Sequence, residues 1–452
     1  MSKRSVASCV AVTAFVAGGA VFAADTKGGA IEAYVKEPMP AFIQVVGTDM
    51  DGPVYADTKG HTLYVFGGGR ERGGYGGGGD AKDKSKCLDT VDRVTTGTMA
   101  PWPAGMELPD MATRKACAQV WPPLYADADA KPVGAWSIIT RDDGKKQWAH
   151  RNRAVYTSIL DNQPGDVNGG GNLHAQGASG TMRTPIGPDA DLPAQFDIES
   201  VPTGRLLTLV EGFSVYTWDK DGPNKSNCDA TCELQWKPVL AAATAPQSHG
   251  DWGIIARSPG VFQWTYRKKP LYSLVGEIQK RSLHGADVPG WRNVYTTPGP
   301  AWPKGFTVQR NPGGDVLADA SGRTIYNFNC IEDASDQQSC DHPSTTQQYR
   351  LAICGGFDVK RCNEDFPYVV ADKNAKSTSQ IWGIKDIDPA TGRYVAAGTP
   401  GSVHVWTFRD RPLYTYVRDS VGDVRANSFG EGNGWRNGFH AFWVREEFRR
   451  QF

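Results

Sequence analysis

The sequence predicts an all-β protein of three tandem β-meander repeats, arranged as sandwiches, a barrel or a propeller-like ring, stapled by disulfides and carrying long loops. A threefold internal repeat, short aromatic β-rich runs and a turn-rich composition predict it. A fixed order of self-similar segments outranks any local signal. Tyr64-Val-Phe66, Tyr216-Thr-Trp218 and Tyr326-Asn-Phe328 open the three copies, each an aromatic pair two residues apart, the spacing that puts both rings on one face of a strand. With 52 glycines, 29 prolines, 14 tryptophans and 16 tyrosines, the composition suits short strands joined by tight turns. No long amphipathic helix is legible.

Taken in order, residues 1–23 read as a secretory signal. Lys3 and Arg4 precede an apolar run from Val10 to Phe22, and Val21-Phe-Ala23 offers small residues for cleavage near Ala24. The run is shorter than the roughly 20 residues a spanning helix needs, and no later stretch is apolar enough to cross a bilayer. The mature chain carries 47 basic against 49 acidic residues, a balance that argues against a nucleic-acid partner.

The copies are expected at about 42–174, 193–299 and 303–452. After its aromatic pair each has a cysteine three residues before an aromatic: Cys117 and Trp121, Cys232 and Trp236, Cys362 and Phe366. Trp136, Trp252 and Trp382 then open β-rich runs, Trp148, Trp264 and Trp406 sit in the return runs, and Tyr156, Tyr272 and Tyr414 close the copies. Repetition of these tryptophans at equivalent places points to core roles. Arg141-Asp-Asp-Gly144 is a turn with a mechanism, since Gly144 accepts the positive φ a hairpin needs. Ser258-Pro-Gly260 and Asp388-Pro-Ala-Thr-Gly392 hold the equivalent places. The glycine-rich stretch from Gly67 to Asp80 lacks Gly-Lys-(Ser/Thr) and reads as a surface loop, not a phosphate cradle.

Tyr216-x-Trp218-x-x-Asp221 and Tyr414-x-Tyr416-x-x-Asp419 fit the Tyr-x-(Phe/Trp/Tyr)-x-x-Asp motif. In this, and in landmarks that run through nearly all of the mature chain, the sequence resembles the secreted-repeat predicted lipoprotein family, a group of unknown function. Two departures stand out. Ser158 occupies an aromatic position of the first copy, and Cys9 lies before the apolar run, where it cannot be a lipid-attachment cysteine.

Eight cysteines remain after cleavage, and an even number in an exported chain reads as disulfides. Aligning the copies pairs Cys87 with Cys117, Cys228 with Cys232 and Cys340 with Cys362, which leaves Cys330 for Cys354. Zinc is the alternative at Cys228-x3-Cys232, but no second ligand pair follows at finger-like spacing.

No catalytic motif is present. The eight histidines form no compact ligand pair, and His150 aligns with Tyr266 and Phe408 as a strand-filling ring. Asp161, Asp166 and Asn168 gather oxygen ligands in one loop as calcium sites do, and Met99, Met106 and Met111 offer soft ligands for copper. A solvated turn and gap-filling methionines are the leading readings, so no cofactor is expected, and calcium and copper, like zinc at the cysteine pair, stand only as alternatives. The expectation is an exported, non-enzymatic binding or scaffold module of the cell envelope, periplasmic or extracellular, meeting another envelope protein or an extracellular ligand. Two alternatives stay open: an extracytoplasmic metal-handling or electron-transfer accessory protein, and a hydrolase with a site between repeats.

Overall fold

A computed structural model describes residues 31–66, 85, 87, 89–90, 115–169, 183–330, 342–344, 348–377, 379–431 and 437–446. Antiparallel strands dominate, with a few short helices. Strand Tyr64–Phe66 pairs with Arg153–Tyr156 through Tyr64 opposite Tyr156, and on its other edge with Arg183–Pro185. The same arrangement places Tyr216 opposite Tyr272 with Trp291–Asn293 beyond, and Tyr326 opposite Tyr414 with Asn437–Ala441 beyond. An early strand is thus held between a middle and a late one.

Strand alternation explains why both faces of these sheets are buried. Tyr64 and Phe66 face a core with Cys87, Cys117 and Trp121, while Leu63 and Val65 face a second core with Trp136 and Trp148. Tyr216 packs with Cys228, Trp236 and Trp291, and Val215 with Trp252 and Trp264. Tyr326 and Phe328 pack with Cys362 and Phe366, and Ile325 with Trp382 and Trp406. All six recurrent tryptophans are buried. The edge strand Trp236–Pro238 ends on a proline and exposes Lys237, two devices that blunt further strand pairing.

Trp136–Thr140, Lys146–His150 and Arg153–Tyr156 form the expected meander. Its second turn is tight: Arg151 and Asn152 both have positive φ, as do Arg267 with Lys268 and Arg409 with Asp410. Positive φ at both central residues marks the type I′ turn, whose twist suits a hairpin. The stretch from Asp388 to Gly392 differs from its expected equivalents. It turns into an additional strand, Arg393–Val395, that pairs with Asp386, Ile387 and Asp388, and only then does Val403–Phe408 return on the other edge of Trp382–Asp388.

Three disulfides lie among the described residues. Cys87 is bridged to Cys117 and Cys228 to Cys232, with Cα separations of 5.1 and 5.2 Å. The third corrects the expected pairing: Cys354 is bridged to Cys362, not to Cys330, and Cys362 is therefore not bridged to Cys340, which lies outside the described residues. The cause is a helical hairpin. Gly356 and Phe357 take positive φ after helix Gln348–Gly355, and Asp358 caps helix Val359–Asp365 through the Lys360 and Arg361 amides. The helices meet at Gly355, where an added Cβ would sit 3.0 Å from Cys362. Trypsin digestion of the denatured, unreduced protein should yield Leu351–Lys360 linked to Cys362–Lys373; a link from Cys362 to the Cys340 peptide would refute the assignment.

Three regions of the fold, built around Tyr64, Tyr216 and Tyr326 in that order, touch one another pairwise. The five-residue tip from Thr48 to Gly52, longer than the two-residue tips between Val201 and Gly204 and between Asn311 and Gly314, makes several of the connections. Met50 is 4 % exposed in the core of Trp382 and Trp406, its carbonyl accepts from Ser200, Asp49 accepts from the Ile381 amide, and Asp51 clasps Arg409. Arg445 meets Asp287 at 2.7 Å to join the second and third regions.

Candidate functional site

A strand that pairs Tyr216 with Tyr272 brings the two surrounding motifs head to tail, and each phenol reaches the acid of the other. Tyr216 donates to Glu277 at 2.5 Å and Tyr272 to Asp221 at 2.7 Å. Tyr64 donates to Asp161 at 2.8 Å, and Tyr326 to Asp419 at 2.5 Å. The acids also hold the chain that follows them: Asp221 accepts the Asn227 amide, Asp419 the Arg425 amide, and Asp161 the Asn168 amide. Burial pushes all four phenols above their ordinary range, and it raises the Asp161 carboxyl to about 8 and those of Glu277 and Asp419 in the same direction.

Residues 137–175 match a family described as a secreted repeat of unknown function. Comparison with curated proteins and with solved structures gives no match. The secreted-repeat stretch starts inside strand Trp136–Thr140 and contains Tyr156 and Asp161, so its motif acid is the partner of Tyr64. The motif therefore describes half of a clasp.

A second network recurs behind it. Ser85 bonds the Tyr156 hydroxyl at 2.7 Å, and Arg141 reaches Ser85, the Cys87 carbonyl and Gln147. Ser226, Tyr272, Arg257, Cys228 and Gln263 repeat that arrangement. Sequence reasoning missed Glu277 and both serines. Glu277 could have been found, because it stands five residues after Tyr272 as Asp161 stands after Tyr156 and Asp221 after Tyr216.

The loop from Asp161 to Asn168 is thus a clasp element. Asp161 takes the Tyr64 phenol and the Asn168 amide, Asp166 accepts the Asn162 and Gln163 amides, and the Asn168 carbonyl accepts from Arg411. No group of three or more His, Cys, Asp or Glu side chains placed to hold a metal occurs among the described residues. Met99, Met106 and Met111 lie outside them. His150 packs 4.7 Å from Trp136 and 5.5 Å from Tyr55, and burial lowers its pKa to about 4, keeping the ring neutral near pH 7.

One histidine is paired with a hydroxyl. His342 Nδ1 lies 2.7 Å from Ser344 Oγ, and Nε2 lies 3.0 Å from Asp410. Burial pushes the Asp410 carboxyl up, but His342 and Lys385 outweigh it and hold the group below the usual carboxylate range. Ser344 also donates its amide to the same Nδ1, the geometry of a local turn two residues long. Arg393 serves the Ser344 carbonyl, not its hydroxyl. Acyl transfer needs donors aimed at an oxyanion as well as a His-paired hydroxyl.

The cleft between the first and third regions is lined by Asp49, Asp51, Gly165, Asp166, Gln380 and Arg409. Its carboxylates are already engaged by the Ile381 amide, by Arg409, and by the Asn162 and Gln163 amides. That is a locked joint, with charge placed to close it. No described helix is long and apolar enough to cross a membrane.

Proposed function

We propose that this chain is an exported, non-enzymatic scaffold of the cell envelope, entering through a signal at 1–23 and built from tandem copies at about 42–174, 193–299 and 303–452. In this reading it meets another envelope protein or an extracellular ligand. The observation that carries it is the reciprocal use of the motif: Tyr64, Tyr216, Tyr272 and Tyr326 are each turned inward on an acid of a facing segment, so this repeated chemistry builds the fold. The match to a secreted repeat supports export. Purified mature protein should bind envelope vesicles of its native host saturably, lose that binding when the vesicles are treated with protease if the partner is a protein, and turn over no ester, amide or glycoside panel. Turnover that disappears in Ser344→Ala would replace the scaffold with a hydrolase.

A further inference from the structure

The second region differs from the third at one set of matched positions. Trp218 and Trp291 face each other across paired strands, stacked at 5.3 Å and 9°, and Trp291 stacks on Trp236 at 3.7 Å and 7°. In the third region the same register places Phe328 opposite Phe439, and Phe439 stacks on Phe366 at 3.7 Å and 9°. Phe328 lies 5.2 Å from Phe439 but is tilted by 60°, so benzene rings reproduce the inner pair of the stack and not the outer one. In the second region the three indoles lie nearly parallel in one continuous stack, and indole adds to it ready one-electron oxidation.

The stack also has two ends. Trp218 is half-buried, under the Lys220 ammonium at 5.2 Å, while Trp291 and Trp236 are 5 % and 2 % exposed. At the inner end the Trp236 ring lies 5.3 Å from that of Tyr216, whose phenol donates to Glu277 Oε1 at 2.5 Å. Glu277 Oε2 is buried as well. A phenol gives up an electron far more readily when its proton can leave at the same time, and a carboxylate already accepting that hydrogen bond is placed to take it.

We propose that Trp218, Trp291 and Trp236 form an electron relay between Tyr216 and a one-electron oxidant, an oxidised transition-metal complex, that meets the protein at the outer edge of Trp218. One electron passes from Tyr216 through the three indoles to the metal, which is reduced by one unit. The phenolic O–H bond breaks, its proton joins Glu277 as a carboxylic acid, and a neutral tyrosyl radical remains. This activity goes beyond the scaffold reading and does not depend on it.

The test uses the mature, disulfide-intact protein and photogenerated tris(bipyridyl)ruthenium(III) as the oxidant, with freeze-quench EPR and transient absorption as readouts. Wild type should give a tyrosyl radical that is absent in Tyr216→Phe. Trp291→Phe and Trp236→Phe install the ring that the third region already packs at these places, so the fold is expected to persist, and near-ultraviolet circular dichroism checks it. Each should lower the tyrosyl yield roughly tenfold, and Glu277→Gln, which keeps an acceptor but cannot take the proton, should do the same while prolonging the indole radical. Trp302→Phe, outside the stack, should behave as wild type. A tyrosyl yield in Trp291→Phe and Glu277→Gln equal to that of wild type would overturn the proposal, as would a radical that survives in Tyr216→Phe.

Discussion

Replacing Arg409 with alanine should lower the free energy of unfolding by about 3–5 kcal/mol, because it strands a partner at a closed joint. Arg409 grips Asp51 with two hydrogen bonds of 2.8 and 3.1 Å, and its side chain is 6 % exposed. Arg151 and Arg267 occupy the same position of the same turn and also face aspartates, Asp189 and Asp251, but their side chains are 52 % and 53 % exposed. Alanine at either should change stability by less than about 1 kcal/mol. Denaturant titration of the three variants decides the matter: equal losses at all three would mean that the turn, not the joint, carries the effect. Asp51→Asn combined with Arg409→Ala should then cost less than the sum of the single changes, since the two groups share one interaction.

Asp161 should pull stability down as pH rises from about 4 to about 8, against His150, whose lowered folded value pulls it up between about 4 and 6.5. Burial lifts its carboxyl from an ordinary 3.8 to about 8. In that window the folded chain keeps a proton that the unfolded chain has released, so each rising pH unit removes up to about 1.4 kcal/mol, and the loss is complete above the folded value. Asp166, Glu277 and Asp419 are raised in the same direction, so the measurement must be a difference. Asp161→Asn keeps the shape and removes the titration. Urea unfolding from pH 4 to pH 9 should show a shallower slope in this variant than in wild type, with the two curves separating most between pH 5 and pH 8. Parallel curves would assign the slope to the other acids.

Much of this architecture is written in local spacing. Aromatics two residues apart, as at Tyr216 and Trp218, face one side of a strand whatever surrounds them, and the matched tryptophans from Trp136 to Trp406 must be buried wherever the same unit recurs. The Cys228 and Cys232 bridge is equally local, because a tight turn, in which the Asp229 carboxylate accepts the Thr231 and Cys232 amides, brings the two residues together. Spacing is silent about which strand a phenol will face. Tyr64 meets Asp161 only because an early strand is inserted between a middle and a late one, a register set by the hydrophobic faces of all three. Alignment likewise placed Cys340 with Cys362, whereas a tight helical hairpin carries Cys354 there first. The tip from Thr48 to Gly52 shows in the sequence as three extra residues, yet its seat against Arg409, Ser200 and the Trp382 core depends on surfaces more than a hundred residues away. The sequence by itself determined the strands, their buried faces and the local bridges, through the periodicity of the backbone. Only the folded structure decided the clasps, the third bridge and the joint: the clasps and the joint depend on approach between distant segments, and the third bridge on the positive-φ turn at Gly356 and Phe357 that folds two short helices together.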